Sequence, residues 1–248
     1  MSQSTESTTE SNPFTKPGFI IAAALVVALV AAGIVIFLLP KGQSNAEPAP
    51  VSSSTVTASP SASSDRGKSI CGLPSSSETS LGAAPSSKWE LVGKMATPTD
   101  PEVGPGITDT NGFRSCFAHS PTGSLYAAMN VAALGSSGEP EILKQVADKL
   151  LVPGTGRDAA MKETASGTSS SGSSTTIQVK GFLLKSYTPS EASVDLAFAT
   201  ETGALGRTTF SMRWLDGDWK VKPSDDGATF GHISQVRDLS GFILWSGV

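Results

Sequence analysis

The sequence predicts an α+β protein: one N-terminal transmembrane helix, a linker, then helices packed on a curved, cone-like antiparallel sheet. Three observations predict it. Residues 18–39 are an unbroken apolar run, helix signals cluster between 120 and 165, and from 177 onward the pattern changes to alternating strands separated by turn residues. Helices first and an antiparallel meander after them is the order expected of an α+β domain.

The apolar run reads GFIIAAALVVALVAAGIVIFLL, with no charged or polar side chain. A helix rises ~1.5 Å per residue, so this length reaches about 33 Å, enough for a hydrocarbon core of ~30 Å. A surface helix would show polar residues on the side that meets water; here every face is apolar. Lys16 and Lys41 bracket the run, so flanking charge barely orients it. A cleaved signal peptide is the alternative, since Ser44-Asn45-Ala46 supplies small residues of the kind a peptidase needs. Yet the run exceeds the ~7–15 residues of a signal core, and the segment before it carries two glutamates against one lysine. The expectation is an uncleaved, single-pass anchor, with residues 1–17 a disordered cytoplasmic tail.

Residues 40–69 are rich in Ser, Ala, Pro and Thr, and no aromatic residue occurs between Phe37 and Trp89. Such a stretch cannot bury enough surface to offset its chain entropy. It reads as a linker, stiffened at Pro48, Pro50 and Pro60, and either a bare spacer or a substrate for O-glycosylation. The remainder, 70–248, is long enough for one domain with a core of its own. The two cysteines, Cys71 and Cys116, both follow the apolar run. An isolated pair in an exported domain is expected to form a disulfide. That pair and the stalk-like linker place the C-terminal domain outside the cytoplasm and make the expected location the cell membrane. A net charge of −4 with no basic block argues against nucleic-acid binding by this domain, because such binding rests on neutralising phosphates.

Within the domain, Trp89 to Met95 reads as a first strand, and Pro98, Pro101 and Pro105 argue against regular structure as far as Asn111. Ser120 is placed to cap a helix that Pro121 begins, with Leu125, Met129 and Ala132 on one face and Gly135 at its end. A second helix is predicted over 139–151 from Ile142, Val146 and Leu150, and a short third over 157–165. Residues 167–176 are a surface loop. Strands follow over 177–187, around Val194, Leu196 and Phe198, and through Thr208, Phe210, Met212 and Trp214. Asp216-Gly217 is a strong two-residue hairpin signal, and its register sets Trp214 opposite Trp219 and Met212 opposite Val221.

The segments PGITDTNGFRSCFAHSPTGSLYAAMNVAA (105–133) and DLSGFILWSGV (238–248) resemble a group of uncharacterised actinobacterial membrane-anchored proteins, often encoded beside conjugation-type genes. The block 179–222, with its WxDGDWKV hairpin, is similar to nuclear transport factor 2-like cone domains, a fold used in the periplasmic part of type IV secretion assembly factors. The resemblance covers Cys71 to the C-terminus. It implies a bitopic scaffold working through protein partners in the cell envelope, in an accessory role to DNA transfer or secretion.

Residues that carry chemistry are sparse. His119 and His232 belong to no HxxxH or HExxH pattern, and the cysteines lack CxxC spacing, so neither a metal nor a cofactor is expected. Enzymes on cone folds use an Asp with a His or Tyr in an apolar pocket, which singles out Asp195, Tyr126 and Tyr187. Asp195 alternates with Val194 and Leu196 and is therefore expected to point away from the core. Asp216, Asp218, Asp225 and Asp226 are read as polar turns rather than a calcium loop. The reading is a non-enzyme. Phe242 and Trp245, in the apolar run near the C-terminus, either pack back on the domain or serve as partner contacts. The alternatives to a scaffold are a domain binding a small apolar ligand or lipid, and, behind it, an enzyme of the same fold.

Overall fold

Ser120 and Pro121 open a helix as the sequence predicts. The computed structural model describes residues 67–166 and 176–247, all within a single compact unit. In it, helix α1 (Pro121–Gly135) starts with the Ser120 hydroxyl accepting from the Gly123 N–H at 3.0 Å. This satisfies one of the N–H groups that a helix start leaves unpaired. The expected single face of Leu125, Met129 and Ala132 understates the burial. Leu125, Tyr126, Ala127, Ala128, Met129, Val131 and Ala133 are all buried. A helix apolar all round belongs inside a fold, and α1 touches strands on two sides. Helix α2 (Pro140–Gln145) passes directly into a π-helical turn, Val146–Leu150, and Ile142, Val146 and Leu150 turn inward as their spacing predicts. Helix α3 (Thr155–Ser166) buries only Gly156 and Ala160.

Two small antiparallel pairs occupy the proline-rich region. Strand β1 (Lys88–Val92) pairs with β2 (Met95–Thr99), and β3 (Ile107–Thr108) pairs with β4 (Arg114–Ser115). Strand β2 runs through Pro98, against the sequence expectation. It is tolerated because β2 is paired with β1 alone and needs no second ladder.

The main sheet has six strands: β5 (Ile177–Thr188), β6 (Glu191–Thr200), β7 (Leu205–Leu215), β8 (Asp218–Val221), β9 (Ser234–Gln235) and β10 (Ile243–Leu244). Its order is β10-β5-β6-β7-β8, with β9 also on β7, and every pairing is antiparallel. The predicted register of the last hairpin is the observed one: Trp214 opposes Trp219 and Met212 opposes Val221. The inner face carries Val179, Phe182, Leu184 and Tyr187 from β5. Simple alternation cannot align those four positions. Irregularities between Val179 and Gly181, and between Leu184 and Ser186, shift the phase of the strand twice and bring them to one side. Strands β8 and β9 share one edge of β7. Lys222 N–H donates to Ser211 and Gly231 N–H to Thr209, while the residues between leave the edge to meet α3.

Helix α1 lies against this inner face and touches β1, β2 and β5 to β8. Leu125, Tyr126, Met129, Phe182, Phe210 and Trp219 fill the space between them.

The predicted fold class therefore needs correction. The described residues are mostly sheet with three helices, and only α1 spans the sheet. Among them no helix is long and apolar enough to cross a membrane. The expected span 18–39, the tail before it and most of the linker lie outside the described residues, as does nearly all of the expected loop 167–176. The helical patterns in the sequence were real, but the expected strand Trp89 to Met95 turns back after Val92 to pair with β2, and the proline-rich stretch adds β3 and β4, which tilts the balance toward sheet.

Candidate functional site

The densest polar arrangement sits where the chain enters the domain. Residues 67–76 lie along the β7–β8 hairpin and the strand-like stretch before α1. Asp216 and Gly217 both take positive φ, 55° and 76°, as a tight hairpin with its right-handed strands requires. The Gly217 carbonyl accepts from Ile70 N–H at 2.8 Å, and a Cβ at Gly217 would sit 2.9 Å from that nitrogen. Only glycine serves both the turn and the close approach.

The expected disulfide is present. Cys71 and Cys116 are bonded across 45 positions of sequence, with Cα atoms 6.2 Å apart. Cys116 holds a left-handed backbone, φ 68°, uncommon outside glycine and costly unless its surroundings impose it. They do so through Asp218. One carboxylate oxygen accepts from Cys116 N–H at 2.7 Å; the other accepts from Phe117 at 2.9 Å and Trp219 at 2.8 Å. Burial pushes the Asp218 carboxyl up to about 6, against the opposing pull of those three N–H groups and of Lys220. Trp219 Nε1–H donates to the Ala118 carbonyl at 3.1 Å, and His119 then stacks on Trp214, with ring centroids 4.0 Å apart and planes 10° from parallel. Entering segment, start of α1 and hairpin are thus held in one clasp.

The other sequence candidates do not converge. Asp195 points away from the core as expected, yet it is only 1% exposed. Thr209 Oγ1 donates to it, and Lys185 at 3.7 Å and Arg207 at 3.4 Å lie over it on the outer face. Tyr187 is on the inner face against Trp219. Tyr126 is fully buried, its hydroxyl 2.6 Å from Ser87 Oγ, and burial raises both tyrosines. Carboxylate and phenols occupy opposite faces of the sheet and form no shared site. His232 is exposed. The four turn aspartates also diverge: Asp216 pairs with Lys220, Asp218 points into the clasp, Asp225 accepts from Thr155, and Asp226 from Ser224 and Ala228. Among the described residues no group of three His, Cys, Asp or Glu side chains is gathered as a metal site would need.

Trp245 packs back. It is 6% exposed, its Nε1–H donates to the Pro85 carbonyl at 3.1 Å, and its ring meets Trp89, Tyr126 and Phe182. It is a core residue, which removes it as a partner contact; Phe242 is half-buried over Gly181. The sequence reading of Asp218 as a polar turn residue misses its buried role. Its place in the hairpin alternates with buried Trp219, so it points to the opposite face, and only the entering segment makes that face an interior.

Fold and clasp together define a class: a disulfide-tied antiparallel-sheet domain wrapped on one central helix. The family model described as a domain of unknown function, DUF8175, matches residues 50–244. The chain belongs to that family. No curated protein and no solved structure matches it.

Proposed function

We propose that this chain is an exported interaction domain of the cell envelope, held at the membrane through its N-terminal region and acting through protein contacts rather than catalysis. The observation that carries this reading is the clasp. A domain that works on a tether needs its point of entry fixed to its fold, and here the first described residues are joined to the hairpin by a main-chain hydrogen bond and to the stretch before α1 by a disulfide and by His119, which stacks on the hairpin. Disulfides persist in oxidising compartments, which supports a place for the domain outside the cytoplasm with the N-terminus inside. The apolar stretch 18–39 supplies the signal for delivery to the membrane. Aromatic and aliphatic side chains fill the inner face of the sheet, which favours contact through the surface over enclosure of a small ligand. The resemblance to proteins encoded beside conjugation-type genes supports an accessory role in a DNA-transfer or type IV secretion-like complex.

Crosslinking in native membranes tests this. The expected result is a heteromeric adduct with another envelope protein. Recovery of the chain alone, at crosslinker doses that trap known envelope complexes, would overturn it. Labelling of intact cells with a membrane-impermeant thiol reagent, before and after reduction, checks sidedness: Cys71 and Cys116 are expected to react only after reduction.

A further inference from the structure

His119 is fastened at both ring nitrogens to groups that can only accept. Nδ1 lies 2.9 Å from the carbonyl oxygen of Gly67, on the entering segment, and Nε2 lies 2.5 Å from that of Pro189, in the β5–β6 turn. A neutral imidazole carries one N–H and one lone pair, so it satisfies one of these carbonyls and sets a lone pair against the other. An imidazolium donates to both. The stacked face of Trp214 suits the cation as well, since an indole ring attracts positive charge. We propose that His119 is an acid-set pin: doubly protonated, it ties the entering segment to the β5–β6 turn across Trp214, and loss of one proton unfastens one of the two.

The charged and titratable groups on the elements packed around His119 have partners of their own. On the hairpin, Asp216 pairs with Lys220 and Asp218 accepts three main-chain N–H groups. Beside the turn, Glu191 pairs with Arg213, and the Tyr187 ring meets Trp219 at a tilt. Lys68 adjoins Gly67 and has contacts of its own. Among the described ion pairs none includes His119, so the two carbonyls and the indole face set its preference. The imidazolium fills both hydrogen bonds and the neutral ring only one, and the clasp is therefore tighter on the acidic side. Its consequence for a tethered domain rests on the reading above; the pin itself does not.

The test is hydrogen exchange of the full chain in detergent at pH 5.5 and pH 8.0, with rates corrected for intrinsic chemistry. Peptides covering residues 68–76 and 186–191 are followed. In the wild type at least one is expected to open about tenfold more at pH 8.0, the size of one lost hydrogen bond. His119→Gln, uncharged with one donor nitrogen and one acceptor oxygen, is expected to show the pH 8.0 behaviour at both values. His119→Arg, cationic with several donors, is expected to stay protected at both. Equal protection of the wild type at the two pH values overturns the pin, and so does a His119→Gln variant with the full wild-type pH dependence. No partner enters this measurement, so its failure is distinct from failure to find one by crosslinking.

Discussion

The two ends of the described chain are fixed to the same sheet by opposite means. The entering segment is stitched by a disulfide, the Ile70–Gly217 hydrogen bond, buried Asp218 and His119. The closing segment is held by one indole, Trp245, sunk among Trp89, Tyr126 and Phe182, and by the two residues of β10. Polar stitching depends on geometry and on conditions, because its parts titrate or can be reduced. Apolar burial depends on area alone and is indifferent to redox state and, near neutrality, to pH. One molecule therefore has a condition-sensitive entrance and an insensitive exit.

The largest blow to that contrast comes from the exit. Trp245→Ala is expected to cost about 3–5 kcal/mol, the range for deleting a buried aromatic side chain. Chemical denaturation reads it, and the loss should be the same with and without reductant. Next is the disulfide. Replacing Cys71 and Cys116 with serine removes a cross-link closing a long loop and is expected to cost about 2–4 kcal/mol. Reduction of the wild type should give a similar loss, while reduction of the serine variant gives none. Asp218→Ala leaves three buried N–H groups without their acceptor, at about 1–3 kcal/mol. Asp218 also gives the entrance a pH slope. Its folded carboxyl is raised to about 6, so its contribution to stability is fully present below the ordinary aspartate value and is lost as pH rises through about 6. Melting temperature should fall across that window in the wild type and flatten in Asp218→Asn; a wild-type curve that rises there would contradict the assignment. The smallest effect is Ser120→Ala, about 1 kcal/mol for a lost helix cap, and it should be additive with Trp245→Ala because the two have no common partner.

Much of this was legible in the sequence, and the reason differs by element. The β7–β8 hairpin could be read because Asp216-Gly217 fixes the turn and the turn fixes the register. Helix α1 could be placed because Ser120 and Pro121 mark its start. The pairing of Cys71 with Cys116 followed from their isolation after an apolar run. Strand β2 was hidden by Pro98, whose cost vanishes only when a strand needs one neighbour, and neighbours are not visible along a chain. The burial of Asp195 and Asp218 was hidden for a related reason. Alternation tells which face a residue occupies; it does not tell whether Lys185 and Arg207, or an incoming segment, will cover that face. Asp195, Tyr126 and Tyr187, the set behind the disfavoured enzyme alternative, were joined by analogy alone, and the fold distributes them over two sides of a sheet.

The two phase shifts in β5 bear on fidelity. Its inward residues Val179, Phe182, Leu184 and Tyr187 follow no single period, so a slip of β5 against β6 by one residue returns none of the set to the interior, and a slip by two returns only part of it. A regular strand slipped by two would look correct to its core. This one carries a combination, three short runs each offset from the last, that opens in one alignment and rejects its near neighbours.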